Sequence, residues 1–217
     1  MIDLDNITLI SVSSVKIPEA INAIKKSKEK INFYDTILVS DERPIDLPSD
    51  INYEHCDKIT NIKEYSYYMI YNLHKHIKSD FCLVVQYDGY VSNPDKWNDE
   101  FLNWDYIGAP WPIKEDAYID PFGNHIRVGN GGFSFRSKKL IELPTFVEIP
   151  FEVNVGDFYK HMNAGCYSED GNISVHNRHI FEENGCKFAP VDIAAQFSRE
   201  SNIPENQGIE AFGFHGR

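Results

Sequence analysis

Short apolar runs that suit buried strands recur along the first half of the chain. Residues 7–15 and 81–85 are rich in β-branched and apolar side chains, which is typical of strands covered on both faces. Residues 35–41 form a second run of this kind, and residues 51–56 form a third. We therefore predict four strands in this part of the chain.

Two stretches with helical periodicity separate these strands. The first opens at Ile17-Pro18, because a proline loses no hydrogen bond in the first turn of a helix. Its apolar positions, at near-helical spacing, are Ile17, Ile21, Ile24 and Ile31. The second follows Asn61 and Glu64, which are spaced as in a capping box, and it keeps an apolar stripe through to Ser79.

The resulting β-α-β-β-α-β order predicts an α/β fold, with a mostly parallel, Rossmann-like central sheet flanked by helices. In such sheets ligands bind beyond the carboxyl ends of the strands. Those ends are residues 11–14, 40–41 and 86–89. The order therefore places Asp41 and Asp88 at strand tips that face the same crevice.

The second half of the chain is less periodic and richer in turn residues. Its pattern predicts a short helix at 94–104, strands at 105–111 and 131–137, and a helix at 173–185 that Gly185 closes.

Residues 144–172 hold several prolines and glycines and little periodicity, which predicts a long functional loop or lid. We find no repeat and no linker, so we predict a single domain.

Composition limits the classes of function. The 217 residues carry a net charge of −12, which disfavours nucleic acid as a partner, because phosphate backbones bind clustered Lys and Arg. No apolar stretch has the roughly 18 residues that a membrane span needs. The N-terminus carries two acids where a secretory signal carries positive charge, and the four cysteines lie far apart. We expect a cytoplasmic protein with reduced cysteines.

Asp88 directly follows a buried apolar strand and precedes Gly89. A carboxylate at that place suits a divalent cation, since Mg²⁺ and Mn²⁺ on phosphate substrates often use one or two protein carboxylates. A turn aspartate that binds its own backbone explains the residue equally well on spacing alone.

Three glycines occur in the segment Gly129-Asn130-Gly131-Gly132, which indicates positive φ angles or a close approach to a ligand. Arg136, four residues later, is placed to reach a phosphate. By itself, a glycine-rich turn between strands is the better interpretation.

Glu169-Asp170 precede the predicted helix at 173–185. One of them could act as a general base on an attacking hydroxyl. Taken alone, the pair is better explained as residues that cap the positive end of the helix dipole.

His215 lies between aromatic and glycine residues, where a neutral imidazole would complete a metal site. Tyr87 and Trp111 are candidates for stacking on a base or a sugar. Trp104 and Tyr106 are better explained as core residues. Trp111, between two prolines, is expected to be exposed.

Five segments together resemble a little-characterised glycosyltransferase family of bacterial surface-polysaccharide clusters and large viruses, which is similar to the GT-A fold. The resemblance runs in order from about residue 60 to the C-terminus. The segments are VVQYDG (84–89), DYIGAPW (105–111), GNGGFSFRS (129–137), Glu169-Asp170 and FGFHG (212–216).

The resemblance implies roles for these residues. Asp88 corresponds to the last Asp of an Asp-x-Asp motif that binds Mn²⁺ or Mg²⁺ on a nucleotide-sugar diphosphate, and Gln86 replaces the first Asp. His215 corresponds to a late histidine that completes the metal site. Asn130, Gly131 and Gly132 correspond to the donor-sugar pocket.

The resemblance also implies that residues 1–110 form a nucleotide-binding half of the domain and residues 111–217 its acceptor and catalytic half. Glu169 would orient the acceptor, with Trp111 beside it, and Asp170 would be the base of an inverting transfer. Ser11 in the first strand and Asp41 would hold the nucleotide base and ribose.

The resemblance thus implies a metal-dependent glycosyltransferase that moves a sugar from a nucleotide-sugar donor, with a UDP-sugar favoured, to a hydroxyl of a glycan or related acceptor. The replacement by Gln86 leaves metal independence open. A sugar nucleotidyltransferase is the alternative enzyme, and a non-catalytic carbohydrate-binding module of the same fold is the alternative without chemistry.

Overall fold

The computed structural model describes residues 1–113, 118–152 and 168–216. The strands are β1 (Ile2–Val12), β2 (Ile31–Ser40), β3 (Asn52–His55), β4 (Phe81–Val85), β5 (Gly89–Val91), β6 (Tyr106–Ile107), β7 (Phe133–Ser137), β8 (Ser198–Arg199) and β9 (Gly213–His215). The α-helices are α1 (Ile17–Lys28), α2 (Ile62–Tyr71), α3 (Lys138–Glu142), α4 (Glu169–Gly171), α5 (Arg178–Glu183) and α6 (Val191–Phe197).

The main sheet has the strand order β3-β2-β1-β4-β7-β6 in the described part of the chain. The first four strands pair in parallel, whereas β7 runs antiparallel to both β4 and β6. The predicted mostly parallel sheet is therefore confirmed. Because β7 is reversed, its first residues lie beside the last residues of β4, and both meet at the edge where a parallel sheet binds ligands.

Side chains of the central strands pack into a core on each face of the sheet. In β4, Leu83 and Val85 enter one apolar cluster, while Cys82 and Val84 enter the other. This alternation follows from the period of two in a strand, and burial of both sides explains the unbroken apolar run of β4. Phe101, Phe133, Phe135, Phe197 and Phe212 lie in the first cluster.

A second sheet, β5-β9-β8, carries the last described segment back towards β4. Gly89 in β5 pairs antiparallel with His215 in β9, and β8 pairs parallel with β9. The sequence shows no apolar periodicity that would predict these short strands. They nevertheless bring the end of the chain to the end of β4.

Several predicted boundaries differ from the structure. β1 begins at Ile2, and Ile31 opens β2 instead of ending the preceding helix. The helix predicted to reach Ser79 ends at Tyr71, and a 3₁₀ turn follows. The helix predicted at 94–104 consists of two 3₁₀ turns. Aromatic and β-branched residues pack well in either conformation, so tertiary contacts decide between them.

The helix predicted at 173–185 is divided. A π-helical turn (Asn172–His176) precedes α5, and Gly185 has a φ of 80°, as the predicted C-cap requires. In the predicted loop at 144–172, residues 153–167 lie outside the described residues, so the predicted lid stays a prediction. None of the described helices is long and apolar enough to cross a membrane.

Candidate functional site

The candidate site forms where β4 ends and β7 begins. The backbone N–H of Gln86 donates to the carbonyl of Gly132 at 2.9 Å, which extends the β4–β7 ladder past the last residue of β4. Asp88 follows two residues later. The glycine-rich segment and the acidic strand end, distant in sequence, therefore become direct neighbours.

β9 adds His215 to this corner. His215 lies opposite Gly89 in the β5–β9 pair, and the N–H of Gly216 donates to the carbonyl of Asp88 at 3.1 Å. As a result Asp88 Oδ1 lies 3.5 Å from His215 Nε2. Asp88 Oδ1 is buried and has no hydrogen-bond partner in the described part of the chain. A buried carboxylate oxygen without a hydrogen bond is costly, which makes it a candidate to bind a ligand.

The other ring nitrogen of His215 faces a carboxylate and an amide. His215 Nδ1 lies 3.4 Å from Glu200 Oε1 and 3.0 Å from Asn130 Nδ2. Burial lowers the pKa of His215, but Glu200, Asp88 and Asp170 favour the charged form, and the net shift is upward. The imidazole is therefore held between two carboxylates.

Close packing explains the glycines at 131 and 132. A Cβ on Gly132 would lie 2.0 Å from His215 Nε2, and a Cβ on Gly131 would lie 2.1 Å from Glu169 Oε1. Neither glycine has a positive φ. Of the two explanations open at the sequence level, the close approach applies, and the neighbours are side chains of the site itself.

Asp170 lies on the other side of this glycine segment. Its Oδ2 accepts from the N–H of Gly131 at 3.1 Å, and its Oδ1 accepts from the N–H of Gly171 at 2.7 Å. Burial and then the charge of Glu169 raise the pKa of Asp170 to about 6, against the hydrogen bonds that it accepts. A carboxylate with a pKa near neutrality suits proton transfer.

The acidic pair lies in the first turn of a helical segment that begins at Glu169, so its interpretation as residues at the positive end of a helix agrees with the structure, although the segment begins earlier than predicted. Ser168 is the N-cap of the short helix α4, which contains both acids, and Asp170 reaches across to Gly131 in another segment. The pair therefore joins α4 to the start of β7.

Arg136 is placed differently from the expected phosphate contact. Its side chain is fully buried, and its Nη2 donates to Glu169 Oε1 at 3.0 Å while its Nε donates to Ser134 Oγ at 3.0 Å. Burial alone would lower the pKa of Arg136, but Tyr106 and Glu169 raise it, so the guanidinium stays charged. The expectation is corrected, because this guanidinium lies beneath the site and holds Glu169.

A cavity of about 310 Å³ opens beside Asp88, at the carboxyl ends of β1 and β4. Its lining includes residues 12–15 and 59–62, together with Tyr65, Gln86 and Tyr87. Gln86 Nε2 donates to the hydroxyl of Tyr65 at 2.9 Å, which fixes one wall.

The ammonium group of Lys16 contacts one lining residue of this cavity, because Lys16 Nζ lies 3.9 Å from the centroid of the Tyr87 ring. The mixture of aromatic face, amide and hydroxyl groups suits a nucleoside.

Ser11 and Asp41 lie apart from this cavity. Ser11 is fully buried in β1, and Ser13 and Ser14 line the cavity in its place. Asp41 follows β2 and lies 3.9 Å from Lys58 Nζ. Side chains alternate along a strand, so the residue that faces the crevice is not fixed by the strand end alone.

Trp111 is buried, contrary to the expectation that its flanking prolines expose it. Its indole stacks on Tyr118 with centroids 4.0 Å apart, and the backbone N–H of Trp111 donates to the carbonyl of Arg127 at 2.7 Å. Tyr106 is buried as expected, and its hydroxyl donates to Gly129 O at 2.6 Å. Trp104 packs against the apolar core.

Two residues of the site were not indicated by the sequence. Glu200 reaches His215 only because β8 pairs with β9, and Tyr65 reaches Gln86 from helix α2. Neither lies in a motif. The spacing of Tyr65 within the apolar stripe of α2 was the only signal available for it.

Asp88 and His215 are the residues that fit a divalent metal. No cluster of three or more His, Cys, Asp or Glu able to hold a metal occurs in residues 1–113, 118–152 and 168–216. Mg²⁺ in phosphate-transfer sites uses one or two protein ligands and takes its other ligands from substrate phosphates and water. The Asp88 oxygen accepts no hydrogen bond and lies beside His215 Nε2, so this pair fits a site with two protein ligands.

With this geometry established, the comparisons with known proteins place the chain. Residues 50–215 match the family described as protein of unknown function (DUF5672). The chain belongs to the DUF5672 family. The matched region contains every residue of the candidate site from Tyr65 to His215. No curated protein matches this DUF5672 chain.

Solved glycosyltransferase structures share the fold of this DUF5672 chain. The galactosyltransferase LgtC, in complex with donor and acceptor sugar analogues, is 11% identical with a TM-score of 0.53, over 96% of this chain and 86% of LgtC. An active-site mutant of LgtC gives the same values. A glycosyltransferase involved in glycosylation of the major capsid of PBCV-1 is 15% identical with a TM-score of 0.51, over 96% of this chain and 91% of that one. The DUF5672 chain is therefore a mixed α/β domain with a GT-A-like fold.

Proposed function

We propose that this chain is a glycosyltransferase that moves a sugar from a nucleotide-sugar donor to a hydroxyl group of a glycan or related acceptor. One observation carries the proposal. At the ligand-binding edge of a GT-A-like sheet, residues 131 and 132 lie between the Asp88–His215 pair and Asp170, so that a buried carboxylate oxygen without a hydrogen bond and a carboxylate of raised pKa lie on either side of one backbone segment.

The donor would occupy the cavity at the ends of β1 and β4. Its nucleoside would lie among Tyr65, Tyr87 and residues 12–15, and its diphosphate would extend towards Asp88. We favour a UDP-sugar. Asn130, Gly131 and Gly132 would border the sugar. Gln86 already donates to Tyr65, so it would act as a wall of the cavity.

We propose that Asp88 and His215 hold Mn²⁺ or Mg²⁺. When bound, the metal would supply the positive charge that stabilises a departing diphosphate. A protein of net charge −12 that binds an anionic donor needs such a local cation. The buried Arg136 cannot serve, since its charge is engaged by Glu169.

Asp170 would act as the base. It would take the proton of the acceptor hydroxyl as that oxygen attacks the anomeric carbon from the face opposite the departing nucleotide, which inverts the anomeric configuration. Glu169 is buried against Arg136, so we assign it the positioning of Asp170 in place of the expected acceptor contact. Trp111, stacked on Tyr118, would bound the acceptor side.

The three described free cysteines, Cys56, Cys82 and Cys186, are buried, which agrees with a reducing compartment. We accordingly propose that the reaction takes place in the cytoplasm, in the synthesis of a polysaccharide or similar glycan.

Release of a nucleoside diphosphate tests the proposed function. We expect the protein with Mn²⁺ to be stabilised in a thermal-shift screen by one nucleotide sugar, and to release its nucleoside diphosphate when an acceptor is added. Pyrophosphate as product would instead show a nucleotidyltransferase. Binding without turnover would show a carbohydrate-binding module. The anomeric proton coupling of the product reports whether configuration is inverted.

The metal proposal has its own test. We expect His215→Ala and Asp88→Ala each to weaken Mn²⁺ binding by at least about 10- to 100-fold, the range seen even when only a partner of a metal ligand is lost. Equilibrium titration of Mn²⁺ measures this, and Asp95→Ala, an exposed aspartate in a 3₁₀ turn, is the control. Unchanged affinity in both site variants contradicts the metal proposal.

A further inference from the structure

Glu200 directly follows β8, and the register of the second sheet brings it to His215. Ser198 pairs with Gly213 and Arg199 pairs with Phe214, so the next residues of the two parallel strands lie side by side. Glu200 Oε1 lies 3.4 Å from His215 Nδ1. The side chain of Glu200 is 27% exposed and that of His215 is 15% exposed, so both lie at the partly covered floor of the site.

Asn130 fixes the orientation of this contact. Its Oδ1 accepts from the N–H of Gly132 at 3.1 Å, which directs its Nδ2 the other way, where it donates to Glu200 Oε1 at 2.8 Å. The same carboxylate oxygen lies 3.4 Å from His215 Nδ1, and Asn130 Nδ2 lies 3.0 Å from Nδ1, so this ring nitrogen has an acceptor and a donor beside it. The glycine segment, Glu200 and His215 form one connected hydrogen-bonding group.

The geometry points to Glu200 as a positioning residue for the metal site. This role rests on the proposed binding of Mn²⁺ or Mg²⁺ by Asp88 and His215. By accepting a hydrogen bond from Nδ1–H, Glu200 selects the His215 tautomer whose Nε2 lone pair faces Asp88. A metal-binding histidine usually donates its other N–H to such a partner, which fixes the ring and strengthens the ligand. Asn130 Nδ2 also lies 3.0 Å from Nδ1 and is the competing partner: without Glu200 it donates to an unprotonated Nδ1, and Nε2 then carries the proton.

Charge supports the same assignment. Asp88 and Glu200 lie on either side of the His215 imidazole, which is neutral when Nε2 binds a metal. A divalent cation at Asp88 and Nε2 would offset the charges of both carboxylates. A role limited to joining β8 to β9 needs no carboxylate, because backbone pairing already joins these strands.

Titration of Mn²⁺ into the whole protein, followed by the paramagnetic resonance of free Mn²⁺ at pH 8 with and without UDP, tests the proposal. We expect Glu200→Ala to weaken Mn²⁺ binding about 10- to 100-fold. Glu200→Gln should fall between Glu200→Ala and wild type, because its amide oxygen still accepts from Nδ1–H. Glu183→Ala, an exposed glutamate at the end of α5, should bind like wild type.

The tautomer of His215 is a second measurement, which a purely structural role of Glu200 would leave unchanged. In ¹⁵N-histidine spectra of the Mg²⁺-bound protein, we expect the His215 proton on Nδ1 in wild type and a shift towards Nε2–H in Glu200→Ala. Equal Mn²⁺ affinity for wild type and Glu200→Ala, an unchanged tautomer, or no Mn²⁺ binding by wild type overturns the proposal. Loss of Mn²⁺ binding without turnover of any nucleotide sugar supports Glu200 and contradicts only the proposed transfer reaction.

Discussion

Asp170→Asn is expected to lower kcat for sugar transfer by about 10²- to 10⁴-fold, the contribution of a positioned general base. The amide cannot take the acceptor proton, but its oxygen can keep one of the two backbone hydrogen bonds, from Gly131 or Gly171. Donor binding should therefore change little. Steady-state kinetics and calorimetry with the nucleotide sugar separate the two effects.

The pH dependence of the wild-type reaction provides a second measure of the same base. Asp170 works only when ionised, and its pKa is raised to about 6, so kcat/KM should fall about tenfold per pH unit below pH 6 and level off above it. Asp170→Asn should lose this acidic limb. Asp95→Asn, an exposed aspartate, should keep wild-type kcat and the limb. Wild-type turnover by Asp170→Asn excludes this residue as the base.

Arg136→Met is expected to lower the free energy of unfolding by about 3–5 kcal/mol, the usual cost when one partner of a buried ion pair is removed. Arg136 is fully buried and Glu169 is 3% exposed, so the variant leaves a carboxylate without a counter-charge in the core. Such a loss is a large share of the roughly 5–15 kcal/mol that stabilises a domain. Urea denaturation followed by circular dichroism measures it.

Two further variants identify the cause of that loss. Lys63→Met breaks an exposed ion pair with Glu152 and should cost at most about 1 kcal/mol. Arg136→Met combined with Glu169→Gln should recover part of the stability, because the unpaired charge is gone. If the double variant is as unstable as the sum of the single ones, lost packing and not charge explains the effect.

Much of the main sheet could be predicted from the sequence. The apolar runs of β1, β2 and β4 and the periodicity of α1 follow from burial on both sheet faces and from the helical repeat. The end of β4 also indicated the site, because Asp88 has no role in a core. The short strands of the second sheet carry too few residues to show a period, so His215 could be recognised by resemblance but not placed.

Contacts between distant segments account for the rest. Arg136 looked available for a phosphate because its own strand contains no acid, whereas its partner Glu169 comes from another element. Trp111 looked exposed between prolines because the stacking on Tyr118 depends on how the chain returns. Glu200 could not be predicted either, because it reaches His215 only through the pairing of β8 with β9. Local patterns report periodicity and turns, while long-range pairing decides which polar groups meet.

The two adjacent glycines at the start of β7 also supply a criterion for sorting relatives. A methyl group at 131 would strike the carboxylate that Arg136 holds, and one at 132 would strike the imidazole of His215. Any homologous chain that retains this constellation has to retain both small residues, whatever drift has occurred elsewhere. A homologue with alanine or serine at either position should keep the fold but lack the proposed activity.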